Sequence, residues 1–285
     1  MTKFWKIQVL CLAMSACSGD DKDTSSADDS DVDTDTDTDT DTDTDTDADT
    51  DTDTDTDPNA ATFVGQAVWE DGTPITGGVQ ARMCYEACIA KMPDSSGTFT
   101  FTSMDPETWS FELVSLGYQD DYATPLVPIT LAAAESRTLT VPVVLPMFAS
   151  KTTLRGSTSV TLDGGLTVQA EPAAMVPSVN SPSTETYLAG VSVAVDGSLP
   201  TDGITGTVVA MWHLGLFEAA VEPVWPFTVS ETYGLAEGTV LRIYASSYDD
   251  HAWLEGGTAT VGADGISSDE GSGIPILTTL ILVQE

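Results

Sequence analysis

Two histidines and a pair of neighbouring aspartates are the residues of this chain that could support acid–base chemistry. His251 follows Asp249 and Asp250, and serines are plentiful, so the residue types of a serine–histidine–aspartate triad are present. The Gly-x-Ser-x-Gly motif that would place a nucleophilic serine at a strand-to-helix turn is absent. A histidine in a Tyr-Asp-Asp-His segment is more often part of a solvated turn. The sequence therefore predicts no catalytic residues and a protein that is not an enzyme.

The acidic loops offer calcium binding as an alternative chemistry. Asp249 and Asp250 could converge with Asp264 and Asp269 on a calcium ion between strands, because hard cations prefer oxygen ligands. Solvated loops explain the same residues without a metal, and we favour that interpretation. No metal site and no cofactor are predicted, with calcium kept as the open alternative.

Cys84 and Cys88 are four residues apart, which makes their pairing depend on the path of the chain. In a straight strand their Cα atoms would lie about 13 Å apart, beyond the roughly 7 Å limit for a disulfide. One helical turn would bring them to about 6 Å. We expect the chain to turn here and the pair to form a disulfide in an oxidising exterior, the alternative being two separate thiols.

Two further residues bear on possible binding chemistry. Trp225 stands between Pro223 and Pro226, and such a loop tryptophan could stack on a sugar ring, although burial is the commoner outcome. His213 follows Trp212 at the end of an apolar segment and is expected to pack at a rim.

The charge of the chain excludes one class of partner. It has 285 residues with 45 acids and 9 bases, a formal charge of −36. A chain this acidic is repelled by phosphate, so we expect no nucleic-acid partner and no binding to anionic headgroups.

The first residues predict export. Lys3 and Lys6 precede an apolar segment from Ile7 to Ala16, about half the length that a membrane-spanning helix needs. Met14-Ser15-Ala16-Cys17 resembles the bacterial lipobox, with methionine in place of the usual leucine. The resemblance implies cleavage before Cys17 and acylation of its sulfur and new amino terminus, which would anchor the chain in a membrane. A plain secreted protein with a free Cys17 is the alternative.

The resemblance to lipoproteins also implies a location. Ser18 follows the cysteine, where aspartate would tend to cause retention in the inner membrane. We therefore expect a lipid anchor in the outer membrane and exposure at the cell surface.

A charged segment follows the cysteine. From Asp31 to Asp57 every odd position is aspartate, mostly alternating with threonine. This pattern has no apolar face, so nothing can offset the entropy of ordering it, and neighbouring carboxylates repel. Residues 17–58 are predicted to form a disordered tether after a signal peptide, residues 1–16. Fully extended, residues 18–57 could reach about 130 Å.

Beyond Pro58 the pattern is that of an all-β protein without long helices. Trp109, Phe111 and Leu113 alternate with Ser110 and Glu112, which is typical of half-buried strands. Similar alternation recurs along the chain, and turn residues separate the segments. The fold class predicted is two antiparallel β-sandwich modules after the linker, residues 59–146 and 147–285.

The first module carries a family resemblance. Gly72-Thr73-Pro74, Gly78-Val79-Gln80-Ala81 and, most specifically, Asp94–Phe101 resemble the carboxypeptidase regulatory-like (transthyretin-like) domain over about residues 62–146. In Asp94–Phe101 the glycine permits a tight turn and the two phenylalanines enter the core. The resemblance implies a folding, spacer or adhesion module and no chemistry of its own.

The second module is predicted from further strands. A hairpin is expected around Asp163-Gly164-Gly165, and residues 172–186 are expected to form a loop. Ile276–Val283 is apolar throughout and suits a central strand. Other strands are predicted at Leu188–Val195, Thr205–Trp212, Thr239–Ser246 and Gly257–Val261.

These features favour a non-catalytic envelope lipoprotein that displays β-sandwiches for adhesion, ligand contact or envelope assembly. Its partners would be the membrane, through the N-terminal lipid, and a protein or glycan that the sequence does not identify. Two alternatives remain: an accessory polysaccharide- or peptide-binding protein or degenerate hydrolase, and a calcium-stabilised structural protein.

Overall fold

Strands account for nearly all regular structure in the computed structural model, which describes residues 57–117, 121–178 and 186–285. Cys17 and the aspartate repeat up to residue 56 lie outside the described residues. The described chain falls within one compact unit, Thr54–Glu285. No helix long and apolar enough to cross a membrane occurs among these residues.

Eight strands lie between residues 61 and 145. They are β1 Ala61–Trp69, β2 Val79–Cys84, β3 Cys88–Lys91, β4 Thr98–Met104, β5 Thr108–Ser115, β6 Leu126–Thr130, β7 Ser136–Thr138 and β8 Val143–Leu145. One sheet has the order β4-β1-β7 with β8 also paired to β1, and the other has the order β3-β2-β5-β6. Pairing is antiparallel apart from β7 and β8, which run parallel to β1. This part of the chain forms a sandwich.

Four phenylalanines join the two sheets of the sandwich. Phe63 on β1 meets Phe111 on β5 edge to face, with ring centroids 5.4 Å apart, and Phe99 on β4 lies 5.5 Å from Phe111. Phe99 and Phe101 are buried, as their alternation with threonine predicts. The turn before them needs Gly97, whose φ is +79° and where an added Cβ would lie 2.5 Å from the Ala67 carbonyl oxygen.

Thirteen strands follow between residues 151 and 284. They are β9 Lys151–Thr153, β10 Thr158–Thr161, β11 Leu166–Ala170, β12 Met175–Val176, β13 Tyr187–Val193, β14 Thr207–Gly215, β15 Ala220–Trp225, β16 Phe227–Val229, β17 Val240–Ser247, β18 Ala252–Gly262, β19 Gly265–Ser268, β20 Ile274–Ile276 and β21 Thr279–Gln284. Two short 3₁₀ turns occur at Asp163–Gly165 and Pro172–Ala174. The first joins β10 to β11 in an antiparallel hairpin, which confirms the predicted turn.

Ten of these strands form one curled sheet. Its order is β10-β11-β16-β19-β18-β17-β21-β14-β13-β9, and β12-β15-β20 form a smaller sheet beside it. Strands from both ends of the order contribute to the same core, including Val168 on β11 and Leu188 on β13. The sheet must therefore curl around that core. The β10–β11 turn contacts β14, because the Trp212 indole N–H donates to the Asp163 carbonyl at 3.1 Å.

The centre of the curled sheet is buried on both faces. β21 lies between β17 and β14, which confirms the prediction of a central strand. Leu280 and Leu282 belong to the core inside the curl, whereas Ile281 and Val283 join the core that contains the phenylalanines of the sandwich. Both faces of β21 therefore exclude water, because successive side chains point to opposite faces of a strand.

Polar contacts reinforce the apolar contact between the sandwich and the curled sheet. Arg137 on β7 donates to the Asp202 carboxylate through Nη1 and Nη2, and the Nη2–Oδ1 distance is 2.8 Å. The Leu126 backbone N–H on β6 donates to the Thr279 hydroxyl at 3.0 Å. The predicted module boundary at residue 146 falls between β8 and β9 and stays a prediction.

Candidate functional site

The contact between the sandwich and the curled sheet brings together a serine and a histidine that are far apart in sequence. Ser110 lies on β5, and His251 lies in the turn between β17 and β18. The Ser110 Oγ is 2.8 Å from the His251 Nδ1 and 3.1 Å from the Tyr248 carbonyl oxygen. Ser110 has one hydroxyl hydrogen, so both contacts are satisfied when it donates to the carbonyl and accepts from Nδ1–H.

This pair differs from a hydrolase pair in three ways. Ser110 is fully buried, so its hydroxyl does not meet a substrate from solvent. Its partner is Nδ1 and not the Nε2 used in the serine protease arrangement. Among the described residues no carboxylate is hydrogen bonded to His251, and the Asp250 carboxylate accepts from Ser247 Oγ at 2.9 Å instead. The pair links β5 to the β17–β18 turn and has no geometry for nucleophilic attack.

Aromatic side chains surround this link. The Tyr85 ring, in the turn between β2 and β3, has its centroid 5.2 Å from that of His251 and 6.0 Å from that of Trp109. The ring centroid of Tyr248 lies 6.4 Å from that of His251. Trp109 is buried, but 42% of the Tyr85 surface is exposed. We refer to Tyr85, Trp109, Tyr248 and His251 as the Tyr85 patch.

A disulfide fixes the position of Tyr85. Cys84 and Cys88 face each other across the β2–β3 hairpin, with Cα atoms 4.0 Å apart, and their sulfurs are bonded. The chain does turn between them, through a hairpin and not a helical turn. The bonded Cys88 sulfur has no hydrogen, so the Tyr248 hydroxyl donates to it, at 2.8 Å. The hairpin that carries Tyr85 is therefore tied to the curled sheet.

The buried carboxyl group near Tyr248, Glu112, is paired with a base. Glu112 on β5 is 3% exposed, and burial raises the pKa of its carboxyl, although the Arg82 guanidinium 3.3 Å away opposes this. Burial also raises the pKa of Tyr248, and the Glu112 carboxylate raises it further. Tyr248 therefore keeps its hydroxyl hydrogen and its contact with the disulfide at neutral pH.

The backbone at His251 is unusual. Its φ is +49°, in the left-handed region that few residues other than glycine adopt, although histidine is more tolerant than most. The contacts of the imidazole with Ser110 and Tyr85 hold this conformation. Residues in such conformations concentrate at functional sites.

The structure separates the four aspartates proposed as calcium ligands. Asp249 and Asp250 precede β18, whereas Asp264 follows it, and the eleven residues of β18 hold these turns about 30 Å apart. The Asp269 carboxylate accepts from the Thr258 and Thr260 hydroxyls, at 2.6 and 2.8 Å. The calcium alternative gains no support from this arrangement, because the two turns lie at opposite ends of one strand. Among the described residues, no three His, Cys, Asp or Glu side chains form a group that could hold a metal.

The structure also fixes the exposure of two other residues. Trp225 is 1% exposed and its indole N–H donates to the Glu171 carbonyl at 3.2 Å, so burial, the commoner outcome expected for it, is confirmed and it does not stack on a sugar. The expectation for His213 is wrong: it is fully buried near the end of β14, and not at a rim, because β14 lies between β21 and β13. His213 lies in the curled sheet and Trp225 in the smaller sheet β12-β15-β20, and packing within the body buries both.

Sequence reasoning singled out His251 but missed Ser110, Tyr85 and Tyr248 as its neighbours. Ser110 and His251 are 141 positions apart, and no pattern in the sequence predicts their contact. One signal was available: Tyr85 stands between two cysteines that pair, so a disulfide would place it at the tip of a turn.

Comparisons with known proteins add little. No family model matches the chain, and no curated protein matches it. A candidate carbohydrate-binding protein of known structure from Bacteroides uniformis is 7% identical, with 80% of each chain covered and a TM-score of 0.24. A DUF3823 family protein from Bacteroides ovatus is 12% identical, with 79% of this chain and 98% of that chain covered and a TM-score of 0.21. Similarity at this level establishes neither a shared fold nor a shared function.

Proposed function

We propose that this chain is a non-catalytic cell-envelope lipoprotein that holds a rigid β-structured body away from the membrane and contacts a partner through the Tyr85 patch. One observation carries the proposal. Ser110 and His251 hydrogen bond to each other and so join two parts of the body, and Ser110 is buried. Tyr85 beside them is exposed. The site is therefore arranged for contact with a partner and not for turnover of a substrate.

The amino-terminal segment supplies the anchor and the spacer. Cys17, at the end of the lipobox-like motif, would carry the acyl chains that hold the protein in the outer membrane. The aspartate repeat that follows would extend outward by repulsion between neighbouring carboxylates. Such an arrangement suits display at the cell surface. The carboxypeptidase regulatory-like assignment of residues 62–146, which the two four-stranded sheets support, agrees with a display role.

The accessory-binding alternative loses its original support, because Trp225 is buried. Tyr85 replaces Trp225 as the candidate binding residue, because its exposed ring can contact a glycan or a peptide. We therefore treat binding at the Tyr85 patch as part of the display function.

Metabolic labelling tests the anchor. Cells that express the wild-type chain or Cys17→Ser are grown with a labelled fatty acid, and intact cells are then treated with a protease. We expect label in the wild type alone, and loss of the wild-type body on proteolysis of intact cells. Incorporation of label into Cys17→Ser, or protection of the body until the cells are broken, would contradict the proposal.

A further inference from the structure

We propose that the Tyr85 patch binds a cationic side chain, arginine or lysine, carried on an extended segment of a partner protein. This inference rests on the proposed function and names the chemistry of the partner. The charges around the patch, the arrangement of its rings and the strand beside it each support the assignment.

The surroundings of the patch are acidic. Glu86 is exposed next to Tyr85, and Asp249 and Asp250 are exposed next to His251. Arg82, the base on the adjoining strand β2, is paired with the buried Glu112. Residues 58–285 carry 26 acids and 6 bases, because 19 of the 45 acids and 3 of the 9 bases precede them. The field at the patch therefore attracts a cation and disfavours an anionic ligand.

The rings are tilted toward one another and do not form a flat platform. The planes of Tyr85 and His251 meet at 39°, and those of Tyr85 and Trp109 at 56°. A pyranose ring stacks best on a broad flat face, whereas a compact cation gains from each ring face that it approaches. The exposed face of Tyr85 carries a negative potential, whereas Trp109 is buried, so this geometry favours a cation over a neutral sugar.

The patch is fixed before any ligand arrives. The Cys84–Cys88 disulfide closes the hairpin, the Tyr248 hydroxyl donates to Cys88, and the His251 imidazole is held by Ser110. A ligand would not have to order these groups on binding, so less of the interaction free energy is lost.

The neighbouring strand indicates the form of the partner. β3 is an edge strand that pairs only with β2 among the described strands, and all four of its residues are exposed. An extended segment can pair with such an edge through its backbone. Ile89 on β3 and Met92 just beyond it also expose apolar surface. A segment that pairs with β3 and places a basic residue at the Tyr85 patch would match the apolar surface of this edge and the field at the patch, since the base on β3, Lys91, is at the end of the strand far from Tyr85.

The two histidines provide a direct assay on the mature full-length chain. His251 lies in the patch, and the buried His213 serves as an internal reference. NMR follows both imidazoles during titration with a capped peptide of alternating valine and arginine, and with the same peptide containing uncharged citrulline. We expect the arginine peptide to shift the His251 signals, to leave those of His213 in place, and to bind more tightly than the citrulline peptide.

Variants locate the binding. Tyr85→Leu should raise the Kd about two- to five-fold, whereas Tyr85→Phe, which keeps the ring face, should not. Asp249→Asn should weaken binding by about the same factor, and the matched control Asp264→Asn, at the other end of β18, should not. Equal affinity for the citrulline peptide, or a Kd unaffected by Tyr85→Leu, would overturn the inference.

The outcome is separable from that of the proposed function. If a neutral glucan oligosaccharide shifts His251 and the arginine peptide does not, the cation assignment is wrong while the contact role of the patch stands. If the arginine peptide binds as expected but Cys17 proves not to be acylated, the display function fails and the ligand chemistry stands.

Discussion

Acidification from pH 7 to pH 5 should lower the free energy of unfolding by about 2 kcal/mol through the single imidazole of His213. This side chain is fully buried in β14, and its Nδ1 lies 2.9 Å from the Thr279 hydroxyl oxygen. That oxygen also accepts the Leu126 backbone N–H. Burial disfavours the charged imidazolium, so His213 is neutral in the folded chain.

The size of the effect follows from the two pKa values. Burial lowers the pKa of His213 to about 3, from an ordinary value of 6.5 that the unfolded chain keeps. Between these values the unfolded state binds one proton more than the folded state, so stability falls as pH falls. The limiting slope is about 1.4 kcal/mol per pH unit, which integrates to about 2 kcal/mol between pH 7 and pH 5.

Urea unfolding of the wild type and of His213→Gln at both pH values measures this term. The wild type should lose about 2 kcal/mol more than the variant on acidification, since the variant has no imidazole to protonate. His251→Gln is the control, and it should retain the full His213 contribution. NMR titration of the folded wild type provides a test without a variant. An NMR-measured pKa of His213 near 6.5, or equal losses in wild type and His213→Gln, would refute the reasoning.

Other perturbations test how the body is held together. Replacing both Cys84 and Cys88 by serine should cost about 2 kcal/mol in urea unfolding, as expected for a short loop, and an unchanged midpoint would show that the bond adds nothing. Arg137→Ala removes the partner of the half-buried Asp202 and should lower stability by about 1–3 kcal/mol in the same assay. Gly97→Ala places a Cβ against backbone at positive φ and should lower the melting temperature by several degrees, whereas no change would contradict the turn geometry.

Period-two patterns predicted the interior of the sandwich correctly but, on β5, its exterior incorrectly. Trp109, Phe111 and Leu113 point into the core as expected. Ser110 and Glu112, on the opposite face of β5, were expected to be solvated but are buried. The sequence shows which face of a strand is apolar, but it does not show that another part of the chain will cover the polar face.

The candidate site lies on that covered face, which explains why it could not be predicted in full. His251 was noticeable as a histidine beside acids, but its partner Ser110 occupies a position that the alternation assigns to solvent. For Trp225 the flanking prolines suggest a loop, whereas the structure places it at the end of β15, buried as the commoner outcome predicts. In each case tertiary packing, not local pattern, decides exposure.

Surface labelling tests the central claim, that this body is displayed outside the cell on a lipid anchor. Val240, 56% exposed at the start of β17, is replaced by cysteine, and intact cells are treated with a membrane-impermeant maleimide. Cys84 and Cys88 are bonded and Cys17 would be acylated, so the new thiol should be the reactive one. We predict labelling of intact cells by Val240→Cys, and loss of the labelled protein from the cells when Cys17→Ser is added. Labelling that requires broken cells, or that stays with the cells without Cys17, would contradict the account.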